Sequence, residues 1–371
     1  MGVWDWQDEK TKSAINNLYI ENLCVSKEEK ILILSDKIKE RIGELLFSIG
    51  TKFTNYILHL TYEPTGRHGL EPPETVWRGT FGSEFVEELK KQGLFEKIQK
   101  KELTSEDEEK IKEILLETTS PNTLPAVLIA VNEHSLSHTL FRKLCTNFLS
   151  MRFASMPLFE PFMFYTSMQA DWNKVSKLSV YLANLLTNAS GVHITCPLGT
   201  DLTFSIEGRE GLADTGKLCT PGSFGNLPAG EAFIAPLEGT AEGIFVTNYA
   251  PTRKLETPCK FFVKDGKVEK VEGDKELIEF LNSIFLKEEN AKNIAEFGIG
   301  TNEKAKMFDN ILEAEKILGT CHIAIGDNSS FGGNVRANVH IDFLIEKPTI
   351  TLKIGNSKKT IMENGKLIVE V

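Results

Sequence analysis

The sequence lacks any apolar run of about 18 residues, the length that a membrane-spanning helix needs. Its first ten residues, 1-MGVWDWQDEK-10, also lack the basic stretch followed by an apolar stretch that marks a secretory signal peptide. We therefore predict that the protein is cytoplasmic and has no membrane partner.

The sequence also lacks an excess of basic residues. Its 42 lysines and arginines are outnumbered by 52 aspartates and glutamates, which gives a formal net charge of −10 at pH 7. Nucleic-acid binding needs the opposite balance, because affinity depends on cations that neutralise phosphates. No G-x-G-x-x-G motif follows a predicted strand, so a dinucleotide site has no support either.

Cysteine is scarce and scattered along the chain. The six cysteines form no C-x-x-C pair, the spacing typical of zinc knuckles and redox motifs. In a cytoplasmic protein we expect such isolated thiols to be reduced and mostly buried, rather than joined in a disulfide framework. They are Cys24, Cys145, Cys196, Cys219, Cys259 and Cys321.

The chain of 371 residues is long enough for two domains of ordinary size. In its first half short apolar strands alternate with amphipathic helices: strand 30–36 precedes helix 37–53, and strand 125–133 precedes helix 138–150. This rhythm is typical of an open, mostly parallel sheet with helices on both faces. We therefore predict an α/β N-terminal domain over residues 1–188.

The character of the sequence changes near residue 190. From there, β-branched and aromatic runs are broken by glycine, proline and aspartate, and the turn pairs 265-DG-266 and 364-NG-365 separate strand-like segments. Such pairs are typical of β-hairpins. One predicted helix, 274–290, interrupts the strands. The predicted fold class is thus α/β, with a β-rich metal-binding domain over residues 189–371.

Segment 336-RANVHIDFLI-345 carries two metal-ligand side chains one residue apart, His340 and Asp342. Residues i and i+2 share one face of a β-strand, so both side chains would project together while Ile341 and Phe343 point the other way. A His-x-Asp pair is weak evidence on its own, since a charged stripe on a solvated sheet face has the same pattern.

Three more ligand-capable side chains lie on or beside apolar strands. Glu231 follows a Pro-Ala-Gly turn, Glu296 precedes a Gly-x-Gly, and His322 is flanked by apolar residues. Each alone has an ordinary explanation, either as a surface acid near a turn or as a hydrogen-bonded core histidine. Together they indicate a cation, because three carboxylates buried near each other are untenable without one. Spacing alone does not show that they are near each other.

These residues lie in consecutive blocks that resemble the aminopeptidase T family of leucyl aminopeptidases, a group of two-metal exopeptidases. The resemblance runs from about residue 151 to the strand that holds His340, and the N-terminal half is similar only in its α/β character. The blocks are 197-PLGTDLTFSIEGR-209, 226-NLPAGEAFIAP-236, 295-AEFGIGTN-302, 322-HIAIG-326 and 336-RANVHIDFLI-345.

The resemblance implies a dinuclear site with five protein ligands. By block position these are Glu231, Glu296, His322, His340 and Asp342. Glu231 and Glu296 are also the candidates for catalytic roles, as bridging ligand or general base. Two histidines and three carboxylates suit two divalent ions of zinc, cobalt or manganese, which can lower the pKa of a bridging water. The implied activity is release of N-terminal amino acids from short peptides by a homodimer.

One departure weakens the peptidase hypothesis. The family has a tyrosine a few residues beyond its first histidine, whereas this chain has Phe331 in that window and its last tyrosine at Tyr249. Loss of one hydrogen-bond donor to the tetrahedral intermediate typically costs about 100- to 1,000-fold in turnover. The stretch between His322 and His340 is also shorter than usual for the family.

Two alternatives therefore stay open. Ring-cleaving dihydroxypyridine dioxygenases are similar to this family and hold one iron with two histidines and one carboxylate, for which His322, His340 and Asp342 are the candidates. The presence of Glu231 and Glu296 counts against this alternative, because a single iron would leave both with little to do. The other alternative is a catalytically silent relative that binds only metal or peptide.

Overall fold

The computed structural model describes residues 8–369, which divide into two compact units. The first unit contains the described residues up to Gln169 together with Gly216–Leu227, and the second contains Ala170–Thr215 and the described residues from Pro228 onward. This division groups residues that pack together and does not test the predicted domain boundary between residues 188 and 189, which stays a prediction. The predictions for residues 1–7 and 370–371 lie outside the described residues.

The described residues form ten α-helices. They are α1 (Glu9–Asn17), α2 (Glu40–Gly50), α3 (Glu74–Phe81), α4 (Ser83–Lys91), α5 (Leu94–Lys100), α6 (Ser105–Thr118), α7 (Leu140–Lys143), α8 (Trp172–Thr187), α9 (Lys275–Phe285) and α10 (Ile311–Ala314). The two longest helices begin at polar caps. The Asp171 carboxylate accepts hydrogen bonds from the first-turn amides of α8, and the Thr104 hydroxyl accepts one from the Asp107 amide of α6. Within residues 8–369, no helix combines the length and apolar character needed to cross a bilayer.

The described residues also form eighteen β-strands. They are β1 (Ile31–Asp36), β2 (Ile57–Tyr62), β3 (Val127–Asn132), β4 (Arg152–Pro157), β5 (Gly191–Thr195), β6 (Asp201–Ser205), β7 (Leu212–Asp214), β8 (Phe224–Asn226), β9 (Glu231–Ile234), β10 (Glu242–Ala250), β11 (Arg253–Lys264), β12 (Lys267–Glu272), β13 (Ile294–Gly300), β14 (Thr320–Gly326), β15 (His340–Glu346), β16 (Thr349–Ile354), β17 (Ser357–Glu363) and β18 (Lys366–Leu367). They build three sheets.

The first unit contains a five-stranded parallel sheet in the order β2-β1-β3-β4-β8. Strands β1 and β3 are buried along their whole length, as expected for apolar parallel strands covered on both faces. In the same unit the fully buried ring of Trp77 packs against Phe81, Phe85 and Phe141. The prediction of an α/β unit with a parallel sheet is confirmed.

The first unit also contains a disulfide bond between Cys24 and Cys219. The expectation that all six cysteines are reduced is therefore wrong for this pair. The two cysteines are 195 residues apart, and nothing in the sequence indicates that Gly216–Leu227 packs with the N-terminal segment. The other four cysteines are free.

The second unit contains two antiparallel sheets. The larger has the order β12-β11-β10-β6-β5-β16-β17-β18, and the smaller has the order β15-β14-β13-β9-β7. Phe245 and Phe261 of the larger sheet pack against Phe343 of the smaller one in the core between them. The predicted hairpins are confirmed at 265–266 and 364–365, where both residues have positive φ as a type I′ turn requires.

Successive side chains along the strands of the smaller sheet alternate between a face that packs in the core and a face that carries polar side chains. In β15, Ile341 and Phe343 enter the core, whereas His340 and Asp342 lie on the opposite face, as predicted. In β9, β13 and β14 the same alternation directs Ala232, Phe297 and Ile323 into the core and places Glu231, Glu296 and His322 on the opposite face. We call this opposite face of β9, β13, β14 and β15 the site face.

Candidate metal centre

All five predicted ligands lie on the site face, and strand register brings them together. Glu296 of β13 and Asp342 of β15 both pair with Ala324 of the intervening strand β14. His322 pairs with Gly298, where a Cβ would lie 2.1 Å from the imidazole ring. Small residues between the ligands therefore leave the space that the larger side chains fill.

The five side chains form two groups of three, and Glu296 belongs to both. The first group is Glu231, Glu296 and His322, and the second is Glu296, His340 and Asp342; within each, the ligand atoms lie within 4.8 Å of one another. Oε1 of Glu296 is 3.3 Å from Nε2 of His322, and Oε2 is 3.3 Å from Nε2 of His340. One carboxylate thus faces two imidazoles.

The two histidines differ in their support. Nδ1 of His340 donates a hydrogen bond to the Asp327 carbonyl at 2.8 Å, which turns Nε2 toward Glu296 and Asp342. This is the usual support of a metal-binding histidine, because it fixes the tautomer and the ring orientation. Nδ1 of His322 is buried without a hydrogen-bond partner in the described part of the chain.

Neighbouring carboxylates shift the pKa values of both histidines. Burial lowers the pKa of His322, but Glu296, Glu231 and Asp342 together raise it to about 9. Burial also lowers the pKa of His340, and Asp342 and Glu296 raise it well above its usual value. Both imidazoles therefore hold protons at neutral pH, with which any metal ion has to compete.

A lysine that the sequence analysis did not single out lies beside the first group. Lys316 is fully buried, and its Nζ is 2.6 Å from Glu231 Oε1, 2.7 Å from Glu315 Oε1 and 3.8 Å from Asp214 Oδ2. Burial lowers the pKa of Lys316, but these carboxylates raise it well above its usual value, so the side chain is an ammonium. We call these four residues the lysine cluster.

Backbone contacts hold Lys316 against the C-terminal end of β13. Its carbonyl accepts a hydrogen bond from the Asn302 amide at 2.8 Å. A Cβ on Gly300 would lie 2.1 Å from the Ile317 carbonyl oxygen, so glycine permits this close approach. The sequence signal was 313-EAEKILG-319, a lysine between acids and an apolar stretch just before the strand of the first histidine.

The residues present fit a metal ion. In the second group, Oε2 of Glu296 and Oδ1 of Asp342 lie 3.3 and 3.4 Å from Nε2 of His340. Nδ1 of this histidine is already held by the Asp327 carbonyl, so Nε2 is the nitrogen that can bind an ion beside the two carboxylates. Imidazole nitrogen and carboxylate oxygen together suit divalent iron, manganese, cobalt or zinc.

Phe331 forms an apolar wall at the second group. Its ring packs edge-on against His340, with centroids 5.7 Å apart, and against Phe233 at 5.8 Å. It brings an aromatic surface next to a candidate ligand and contributes no hydrogen-bond donor.

The family model of 2,5-dihydroxypyridine 5,6-dioxygenase, NicX, matches residues 160–369. This range is more than half of the chain and contains all five predicted ligands. The chain belongs to the NicX family. A comparison with curated protein sequences found no match.

Two solved structures have similar folds. The 2,5-dihydroxypyridine dioxygenase from Pseudomonas putida KT2440 has a TM-score of 0.70 and 14% identity, covering 100% of this chain and 99% of its own. The aminopeptidase AmpT from Thermus thermophilus has a TM-score of 0.63 and 15% identity, covering 97% of this chain and 99% of its own. The expected resemblance to aminopeptidase T is confirmed in part, at the level of the fold, while the family is that of the dioxygenase.

Proposed function

We propose that this chain is a dioxygenase that opens the ring of a dihydroxylated aromatic compound such as 2,5-dihydroxypyridine. The observation that carries the proposal is the match of the NicX family to the segment with all five predicted ligands. His322, His340 and Asp342 would hold a ferrous ion, with the Glu296 carboxylate beside Nε2 of both histidines. Such an ion, when bound, supplies the activation of dioxygen that ring cleavage needs.

The chain's own residues suit a flat aromatic substrate. Phe331 presents an apolar ring surface beside His340, and Phe233 packs against Phe331. An aromatic substrate packs well against such surfaces. A peptide carbonyl, by contrast, needs a hydrogen-bond donor as its oxygen gains charge, and Phe331 has none.

The lysine cluster also answers the objection that a single iron leaves the glutamates without a role. Glu231 is the ion-pair partner of the buried Lys316 ammonium. Glu296 faces Nε2 of both histidines, the atoms that would bind the ion, so its carboxylate would be a further ligand of the same ion. Both glutamates would therefore have a role in a one-metal centre.

A two-metal aminopeptidase is the second candidate. It is favoured by the membership of Glu296 in both donor groups, the arrangement of a bridging carboxylate, and by the fold similarity to AmpT. In this candidate Glu231 and Glu296 would be catalytic, and two zinc, cobalt or manganese ions would be bound by a homodimer acting on short peptides.

A pair of assays separates the candidates. Protein loaded with Fe²⁺ without air is mixed with aerated 2,5-dihydroxypyridine, and oxygen uptake is followed together with loss of the ring's ultraviolet absorbance. The same protein loaded with Zn²⁺, Co²⁺ or Mn²⁺ is given leucyl dipeptides. The proposal predicts iron-dependent oxygen uptake, absent in His340→Ala, and no peptide cleavage. Peptide cleavage without oxygen uptake would contradict it, and turnover of neither substrate would favour a catalytically silent relative.

A further inference from the structure

We propose that the ammonium of Lys316 takes the place of a second metal ion, so that the centre binds one ion where its five candidate ligands would otherwise bind two. This inference rests on the one-metal function proposed above. It concerns the first donor group, Glu231, Glu296 and His322, which lies beside the lysine cluster.

The geometry of Glu231 is the first support. One of its oxygens is 2.6 Å from the ammonium, and the other lies 3.4 Å from His322. A carboxylate that already neutralises a cation attracts a metal ion less strongly, and the ammonium repels a second cation placed nearby. Lys316 thus weakens the first donor group without removing any of its ligands.

The distribution of charge is the second support. Glu231, Glu315 and Asp214 surround the ammonium at 2.6, 2.7 and 3.8 Å. Glu296 and Asp342 remain beside the histidines, and their two negative charges match one divalent ion. One ammonium therefore lies among the first three acids, and one divalent ion would lie beside the other two.

The third support is the difference between the hydrogen bonds that orient the two histidines. His340 is oriented by the Asp327 carbonyl, whereas Nδ1 of His322 has no hydrogen-bond partner among the described residues. Histidines oriented in this way bind metal more tightly, since partners of this kind typically change metal affinity by about 10- to 100-fold. The ion would therefore be held mainly by the group with His340 and Asp342, on the side away from Glu231, and His322 would complete its ligands.

The test is the number of ions bound per chain in Lys316→Ala. The variant removes the ammonium and leaves space among three carboxylates, a set that suits a hard divalent ion. After equilibration with Mn²⁺ and removal of free ion, elemental analysis is expected to find about one ion in the natural protein and about two in the variant. The matched control is Lys39→Ala in the first unit. Lys39 is also buried, but it contacts no candidate ligand.

The outcomes are distinguishable. One ion in both proteins overturns the inference and leaves the one-metal function standing, whereas two ions in the natural protein overturn both. Lys316→Met, which keeps the volume and loses the charge, is measured beside Lys316→Ala in case the smaller side chain prevents folding. If both variants stay unfolded even with Mn²⁺, the inference also fails, because an ion able to replace the ammonium would restore the fold.

Discussion

Two buried lysines, one in each unit, differ in how much water reaches their partners. Lys39 is 3.0 Å from Glu133 and 2.6 Å from Glu160, whose side chains are 29% and 43% exposed. Lys316 contacts Glu231 and Glu315, whose side chains are 8% and 11% exposed. Carboxylates that keep contact with water do not depend on a cation, whereas carboxylates without it do. Ion pairs of the same kind are thus partly solvated in the first unit and buried beside the candidate metal centre in the second.

The largest effect is expected from removing a ligand in the second unit. His340→Ala should weaken binding of one divalent ion by more than about 100-fold, because even indirect support of a ligand contributes 10- to 100-fold. Glu133→Gln in the first unit should leave ion binding unchanged. Calorimetric titration with Mn²⁺, with circular dichroism to verify folding, measures both. Equal ion binding by His340→Ala and the natural protein would remove this histidine from the centre.

Removing the lysines should destabilise the two units unequally when a chelator is present. Lys316→Met should lower the free energy of unfolding by roughly 3–5 kcal/mol, because it strands buried carboxylates. Lys39→Met should lower it by only about 1 kcal/mol, because its partners stay solvated. Urea denaturation at pH 7 compares the two variants. Similar losses of unfolding free energy in both variants would mean that the exposure of the partner carboxylates does not determine how much each buried lysine stabilises its unit.

Ion binding to the second unit should strengthen as pH rises. With its pKa raised to about 9, His322 carries a proton below that pH and must release it to bind an ion. Affinity should therefore rise by about tenfold per pH unit for each proton released, and the proton of His322 should stop contributing above about pH 9. Calorimetry at pH 7 in buffers of different ionisation enthalpy counts the protons. An ion that binds without proton release would contradict the proposed ligands.

The smallest effect is expected at the aromatic wall. Phe331→Leu should lower kcat/KM for 2,5-dihydroxypyridine by about 2- to 10-fold, because one aromatic contact contributes about 0.5–1.5 kcal/mol. The number of bound ions should not change. Phe280→Leu on α9, where the side chain is 51% exposed, serves as the matched control. A change in ion content on Phe331→Leu would show that this residue supports the ligands rather than the substrate.

The parts of the fold that the sequence predicted depend on local signals. β1 and β3 are continuous apolar runs, and a parallel strand covered on both faces needs that composition. The hairpin turns contain the Asp-Gly and Asn-Gly pairs that tolerate positive φ. Alternation alone placed His340 and Asp342 on the face opposite the core.

The parts of the fold and of the site that the sequence did not predict depend on segments that are far apart along the chain. Lys316 and Glu231 are 85 residues apart, and Glu315 and Lys316 look like ordinary solvated charges in the sequence. The pairing of β7 with β9, the close approach at Gly300 and the hydrogen bond from the Asn302 amide to the Lys316 carbonyl bring the lysine cluster together. The Cys24–Cys219 disulfide was missed for the same reason, since its halves meet only in the folded first unit.

The most direct test of a one-metal centre is the ion content of the natural protein, purified without chelator and under nitrogen. Elemental analysis against protein concentration gives ions per chain, and Mössbauer or X-ray absorption spectroscopy gives the identity and ligands of the metal. We predict about one iron per chain with both nitrogen and oxygen ligands. Two ions of zinc, cobalt or manganese per chain would contradict the account and favour the dinuclear hydrolase.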